Sequence, residues 1–153
     1  MSNDYIVIKN FLLKDTIDNF IKLANYKKPE YSKVGTNVNR SRKIRKDIFY
    51  SIDESKIVDD LIFKNLQKIT NEYYGIDLHF RETYKVGSYD GNEGGFYNPH
   101  TDKQGNMEHR RISLVVCLSN SSDYEGGIFK FIHLNKSFKF DLGDAVIFKS
   151  DLL

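Results

Sequence analysis

Gly94-Gly95-Phe96-Tyr97-Asn98-Pro99-His100-Thr101-Asp102 is the stretch that decides the fold of this chain. It holds a histidine and an aspartate separated by one residue. A neutral imidazole and a carboxylate at that spacing can bind a divalent metal together, because on a strand residues i and i+2 point to the same face. Ahead of the pair, Asp90 to Gly95 is rich in turn residues, and Phe96 to Thr101 reads as a strand that bears His100. Behind it, Arg110 to Ser119 gives the strongest strand signal, with Ile112, Leu114, Val115, Val116, Cys117 and Leu118. Two ligands at a strand end between such segments sit at the mouth of a small β-barrel, a common setting for a metal.

The pattern continues toward the C-terminus. Asn120 to Gly127 is a loop, Ile128 to Ile132 a strand, and Asn135-Lys136 a hairpin turn leading to Phe138 and Phe140. Leu142-Gly143-Asp144 is a turn and Ala145 to Phe148 a final strand. Toward the N-terminus, Tyr5 to Ile8 is an opening strand. Asp15 is placed as the N-cap of a helix with Ile17, Phe20, Ile21 and Ala24 on one face, ending near Tyr26. Glu30 to Lys46 is polar and reads as loop with at most one strand. A second helix starts near Asp53 behind a capping box, Ser51 with Glu54. It carries Ile57, Val58, Leu61, Ile62, Leu66 and Ile69 on one face and stops at Gly75. Asp77 to Tyr89 alternates as a strand. Helices first and a run of short strands after give an α+β class with a sandwich or barrel as the main body.

At 153 residues the chain is long enough for one domain with a real core, read as spanning 1–153. Its 40% hydrophobic and 29% charged content excludes a disordered segment. A net charge of +2 is too small to argue for a nucleic-acid partner. The basic cluster Arg40, Arg42, Lys43, Arg45 and Lys46 reads as a solvated loop or edge. The single cysteine, Cys117, allows no internal disulfide and reads as a buried structural thiol. The opening Met1-Ser2-Asn3-Asp4 lacks a basic start followed by an apolar core, and no apolar run approaches membrane-spanning length. A cytoplasmic protein without a membrane partner is the expectation.

One imidazole and one carboxylate with open positions beside them match the facial triad of non-haem iron oxygenases. Zinc sites more often add Cys or a tighter His cluster. Other nucleophile and phosphate-binding motifs are not apparent. His79, His109 and His133 read as surface or packing residues, with His109 the best placed of them to fold back.

Tyr97 to Asp102 resembles the iron motif of the 2-oxoglutarate- and Fe(II)-dependent oxygenases, in particular the prolyl 4-hydroxylase-like branch. Tyr84 and Gly87 resemble the tyrosine and glycine ahead of that motif. Arg111 to Leu118 looks like its next core strand, Glu125-Gly126-Gly127 is similar to its double-glycine turn, and Gly143 to Phe148 resembles the strand that leads to the distal histidine. The resemblance covers nearly the whole chain. It implies a double-stranded β-helix (jelly-roll) core with N-terminal helices packed outside. It makes His100 and Asp102 iron ligands and Tyr97 the phenol that hydrogen-bonds a carboxylate of 2-oxoglutarate. It implies Fe(2+) and 2-oxoglutarate as cofactors, ascorbate as a further candidate, and O2 with a peptide or small molecule as the other partners. The reaction would hydroxylate a substrate carbon, peptidyl proline being the first candidate, with succinate and CO2 as co-products. The Gly91 to Gly95 loop would shape substrate access.

The family's third iron ligand follows the Gly143 to Phe148 strand, and the basic residue for the distal carboxylate lies further on. Here the chain ends at Leu153. The expectation is therefore a C-terminally truncated copy that lacks the last strands and the third ligand, with the Ala145 to Phe148 edge uncovered. Two rival readings follow: a catalytically inactive barrel acting as a binding module, and a cupin-like metal-binding protein.

Overall fold

The computed structural model describes residues 4–153, so the reading of Met1-Ser2-Asn3 lies outside the described residues. In chain order the elements are β1 (Tyr5–Ile8), α1 (Lys14–Asn25), β2 (Glu30–Tyr31), β3 (Lys43–Ile44), β4 (Lys46–Phe49), α2 (Ile52–Ile57), α3 (Phe63–Tyr74), β5 (Lys85–Ser88), β6 (Phe96–Tyr97), β7 (Ile112–Val116), β8 (Phe129–Phe131), β9 (Lys136–Phe138) and β10 (Ala145–Lys149). The chain divides into two compact units, one of residues 4–19 with Asn98–Leu153, the other Phe20–Tyr97. Helix α1 runs from the first into the second.

In the first unit β10 is the middle strand of an antiparallel sheet, flanked by β1 and β7. Ala145 to Phe148 are buried on both faces, which is why this segment reads as an unbroken apolar run. The expectation of an uncovered edge here is overturned: β1 pairs along its full length with Tyr5 opposite Phe148 and Ile8 opposite Ala145. Beneath the sheet, Phe131, Phe140, Val146 and Phe148 form the core, with Tyr5, Phe129 and Phe138 packed around it. The rings meet edge-on or tilted, as Phe131 and Phe148 do at 5.2 Å, except for the stacked Phe138 and Phe140. The β8–β9 hairpin turns at Asn135, whose φ of 50° is tolerated by asparagine. Gly143 turns the chain into β10 with φ 84°, and a Cβ there would collide with the Leu12 carbonyl oxygen. Asp144 follows, buried, and accepts from the Lys9 ammonium and the Asn10 and Asp141 amides.

The second unit departs more from expectation. The Glu30 to Lys46 segment contributes β2, β3 and the start of β4, and the sheet order is β2-β4-β5 with a separate β3-β6 pair. The capping box is present: Ser51 Oγ accepts from the Glu54 amide and the Glu54 carboxylate from the Ser51 amide. The helix behind it breaks after Ile57 and resumes at Phe63. Asp59, in the break, takes two hydrogen bonds from Arg81, each 2.6 Å, and one from the Tyr84 hydroxyl at 2.8 Å. Those bonds reward an irregular backbone that periodicity alone does not reveal. α3 ends on Gly75 in the left-handed conformation, as the sequence indicates. The strand read from Asp77 to Tyr89 shrinks to β5, the one read from Phe96 to Thr101 shrinks to the two residues of β6, and Asp15 lies inside the first turn of α1 rather than capping it. Among the described residues no helix is long and apolar enough to cross a membrane.

Candidate metal centre

His100 and Asp102 follow the end of β6 and lie outside any strand. Strand pleating therefore does not put them on one face, yet the two side chains meet: His100 Nε2 is 3.2 Å from Asp102 Oδ1. What aims the imidazole is the backbone. His100 Nδ1 lies 2.8 Å from the Asn98 carbonyl oxygen, which can only accept, so Nδ1 carries the proton and Nε2 turns its lone pair to the carboxylate. A neutral imidazole lone pair and a carboxylate oxygen this close repel one another unless a proton or a cation sits between them. Both side chains are about three-quarters shielded, at 24% and 27% exposure. One nitrogen and one oxygen donor fit Fe(II), so the residues present suit the metal the resemblance implies.

Asp102 is anchored from β7 and the loop before it. Burial alone would raise its carboxyl. With a proton on Nε2, His100 adds a hydrogen bond and a charge, and together with the Ser113 hydrogen bond and the Arg110 charge these outweigh burial and hold the group below the usual carboxylate range. Arg110 also donates to the Asp102 carbonyl oxygen at 3.3 Å. The end of β10 arrives at the same place. The Ser150 amide donates to the Arg111 carbonyl at 3.0 Å, and the Lys103 amide donates to the Ser150 carbonyl at 2.8 Å. Sequence reasoning missed Ser113 and Ser150; only the β7–β10 register, with Ser113 opposite Phe148, brings them here.

His79, His109 and His133 are exposed. Among the described residues no group of three or more His, Cys, Asp or Glu side chains is placed to hold a metal ion. The Cys117 thiol packs against the aromatic core and donates to the Ser119 carbonyl at 3.3 Å.

Tyr97 belongs to the second unit, where it pairs in register with Lys43. The Lys43 ammonium lies 4.2 Å from the centre of its ring and the Arg45 guanidinium 5.9 Å. This corrects the reading of the basic run as a solvated loop. Arg40 and Arg42 are exposed, but Lys43 is buried and Arg45 grips the buried Asp47 through both carboxylate oxygens at 2.6 and 2.9 Å. Gly87 is opposite Asp47, and a Cβ there would lie 2.9 Å from Arg45 Cδ, so the glycine makes room for that ion pair. Tyr84 donates its hydroxyl to Asp59.

The family profile described as the 2OG-Fe(II) oxygenase superfamily matches residues 84–153, the part of the chain that contains His100, Asp102 and β10. Three solved structures share the fold. A viral collagen prolyl hydroxylase from Paramecium Bursaria Chlorella virus-1, solved as a 2OG complex, aligns with a TM-score of 0.74 at 19% identity over 99% of this chain and 83% of that one. A Pseudomonas putida prolyl-4-hydroxylase aligns at 0.74 and 16% identity over 97% and 82%. A Trichoplax adhaerens prolyl hydroxylase, in complex with a hypoxia inducible factor oxygen degradation domain peptide fragment, aligns at 0.76 and 21% identity over 98% and 74%. No curated protein matches the chain significantly. The fold is thus the double-stranded β-helix of an α+β protein, and residues 84–153 carry the likeness to the 2OG-Fe(II) oxygenase superfamily.

Proposed function

We propose that the chain serves an Fe(II)- and 2-oxoglutarate-dependent dioxygenase of the cytoplasm that hydroxylates a carbon of a peptide, with proline the first candidate. The observation that carries this reading is the approach of His100 Nε2 to Asp102 Oδ1 at 3.2 Å, inside the segment that matches the oxygenase superfamily. His100 and Asp102 would hold the iron, and Tyr97 a carboxylate of 2-oxoglutarate. When bound, Fe(II) would let O2 be reduced with electrons from 2-oxoglutarate, so that one atom of O2 would go to the substrate carbon and the other into succinate, with loss of CO2. The chain's own contribution is orientation. The Asn98 carbonyl fixes the imidazole tautomer, and Ser113 and Arg110 keep the Asp102 carboxylate charged in a largely shielded place. Ascorbate would act as an accompanying reductant.

The test is oxygen-dependent succinate formation from 2-oxoglutarate by the Fe(II)-loaded chain in the presence of a proline-containing peptide. Succinate formation that stops with His100→Ala supports the proposal. Metal binding without oxygen-dependent succinate formation favours a cupin-like protein instead, and no metal binding favours an inactive barrel.

A further inference from the structure

The basic run from Arg40 to Lys46 is the sequence feature that the proposed function leaves unused. Within the second unit it is split by burial, and Lys43 is only 5% exposed. Lysine is among the residues least often buried, because stripping water from an ammonium is costly. An apolar side chain would fill the same space at lower cost. What Lys43 does there is visible in its surroundings. It stands opposite Tyr97 across the β3–β6 pair, with its ammonium 4.2 Å from the ring centre and 3.5 Å from the Lys33 carbonyl oxygen. Arg45 approaches the same ring at 5.9 Å, but its charge is matched by the bidentate Asp47. A cation against the π face draws electron density from the ring, which makes the phenol O–H a stronger donor to an anion. Its charge also attracts any anion that reaches that phenol, and burial strengthens the attraction.

We propose that Lys43 is a positioning residue for the dicarboxylate co-substrate: seated on the face of Tyr97, it fixes the phenol and strengthens its hydrogen bond to a carboxylate of 2-oxoglutarate. The inference rests on Tyr97 being the carboxylate donor, as proposed above. It differs from a merely structural role for Lys43 in acting through one hydroxyl.

Calorimetric titration of the intact chain with 2-oxoglutarate, with Mn(II) in place of iron, tests it. Lys43→Met is expected to weaken binding about tenfold, and Lys43→Arg, which keeps the cation, to stay within about threefold of the parent. In a Tyr97→Phe background Lys43→Met should cost almost nothing more, since both changes remove the same interaction. Unchanged binding in Lys43→Met beside weakened binding in Tyr97→Phe overturns the role of Lys43 and leaves that of Tyr97 standing. Unchanged binding in Tyr97→Phe overturns the reading beneath both. If Lys43→Met does not fold, Lys43→Gln decides: it keeps a donor for the Lys33 carbonyl but no charge, so weakened binding supports the proposal and parental binding overturns it.

Discussion

The hydroxyls of Ser113 and Ser150, 37 residues apart in the chain, lie 3.0 Å from each other. Ser113 is also hydrogen-bonded to the Asp102 carboxylate, which can only accept. The donors therefore run in one direction, from Ser150 to Ser113 to Asp102. Ser150 is 1% exposed, so its hydroxyl depends on this partner. The last strand of the sheet is thereby coupled to the orientation of a candidate iron ligand.

Removing the middle of that relay should loosen the carboxylate without removing it. Ser113→Ala is expected to lower the affinity for Fe(II) or Mn(II) about 10- to 100-fold, the usual effect of losing a partner that orients a metal ligand. Ser113→Thr, which keeps the hydroxyl, should lose far less. Anaerobic metal titration reads both, and equal affinities for Ala and the parent would show that Ser113 has no such role.

Gly143 governs entry into β10. Its φ of 84° and the Leu12 carbonyl oxygen, which stands where a side chain would begin, leave no room for a methyl group. Gly143→Ala should cost about 2 kcal/mol or more, from backbone strain added to displacement of Leu12. Urea denaturation should show a lower midpoint with an unchanged slope. A midpoint equal to the parent's would mean that the turn relaxes freely.

Asp47 sets an acid limit on the second unit. Burial would raise its carboxyl, but hydrogen bonds from Arg45 and Ser32 and the charges of Arg45 and Lys85 hold it below its ordinary value of 3.8. A carboxyl depressed in the native state binds fewer protons there than in the unfolded chain. Its stabilisation is complete above the ordinary aspartate range and is lost as pH falls through the native value. Asp144 in the first unit is depressed too: burial opposes it, and the Lys9 ammonium with the Asp141 and Asn10 amides prevails. Stability should therefore fall steadily from about pH 5 to about pH 3. Arg45→Met should cost about 3–5 kcal/mol at neutral pH, because it leaves the buried Asp47 without its bidentate guanidinium partner. The pH dependence around Asp47 should then weaken, since only Ser32 and Lys85 are left to oppose burial. Chemical denaturation across that range checks both, and a parent whose stability is flat below about pH 5 would contradict the assignment.

What the sequence made legible was local. The Ser51–Glu54 box, the Gly75 stop, the Asn135 turn and the apolar run of β10 each depend on residues close in the chain, and each stands where it was read. The errors lie where distant partners decide. One helix became two because Asp59 is held by Arg81 and Tyr84, more than twenty residues on. The basic run reads as solvated because nothing near it announces that Lys43 will pair with Tyr97, more than fifty residues on. His100 and Asp102 meet outside any strand, so the Asn98 carbonyl and Ser113, and not strand pleating, orient the two side chains. The edge strand expected at β10 is central because β1, from the far end of the chain, covers it.

The central claim is that His100 and Asp102 hold iron beside 2-oxoglutarate. Anaerobic addition of Fe(II) and 2-oxoglutarate to the chain tests it directly, since the chelate of the two gives a weak visible charge-transfer absorption. The account predicts that band in the parent and its loss in both His100→Ala and Asp102→Ala. A parent without the band, or variants that keep it at full strength, would contradict the account.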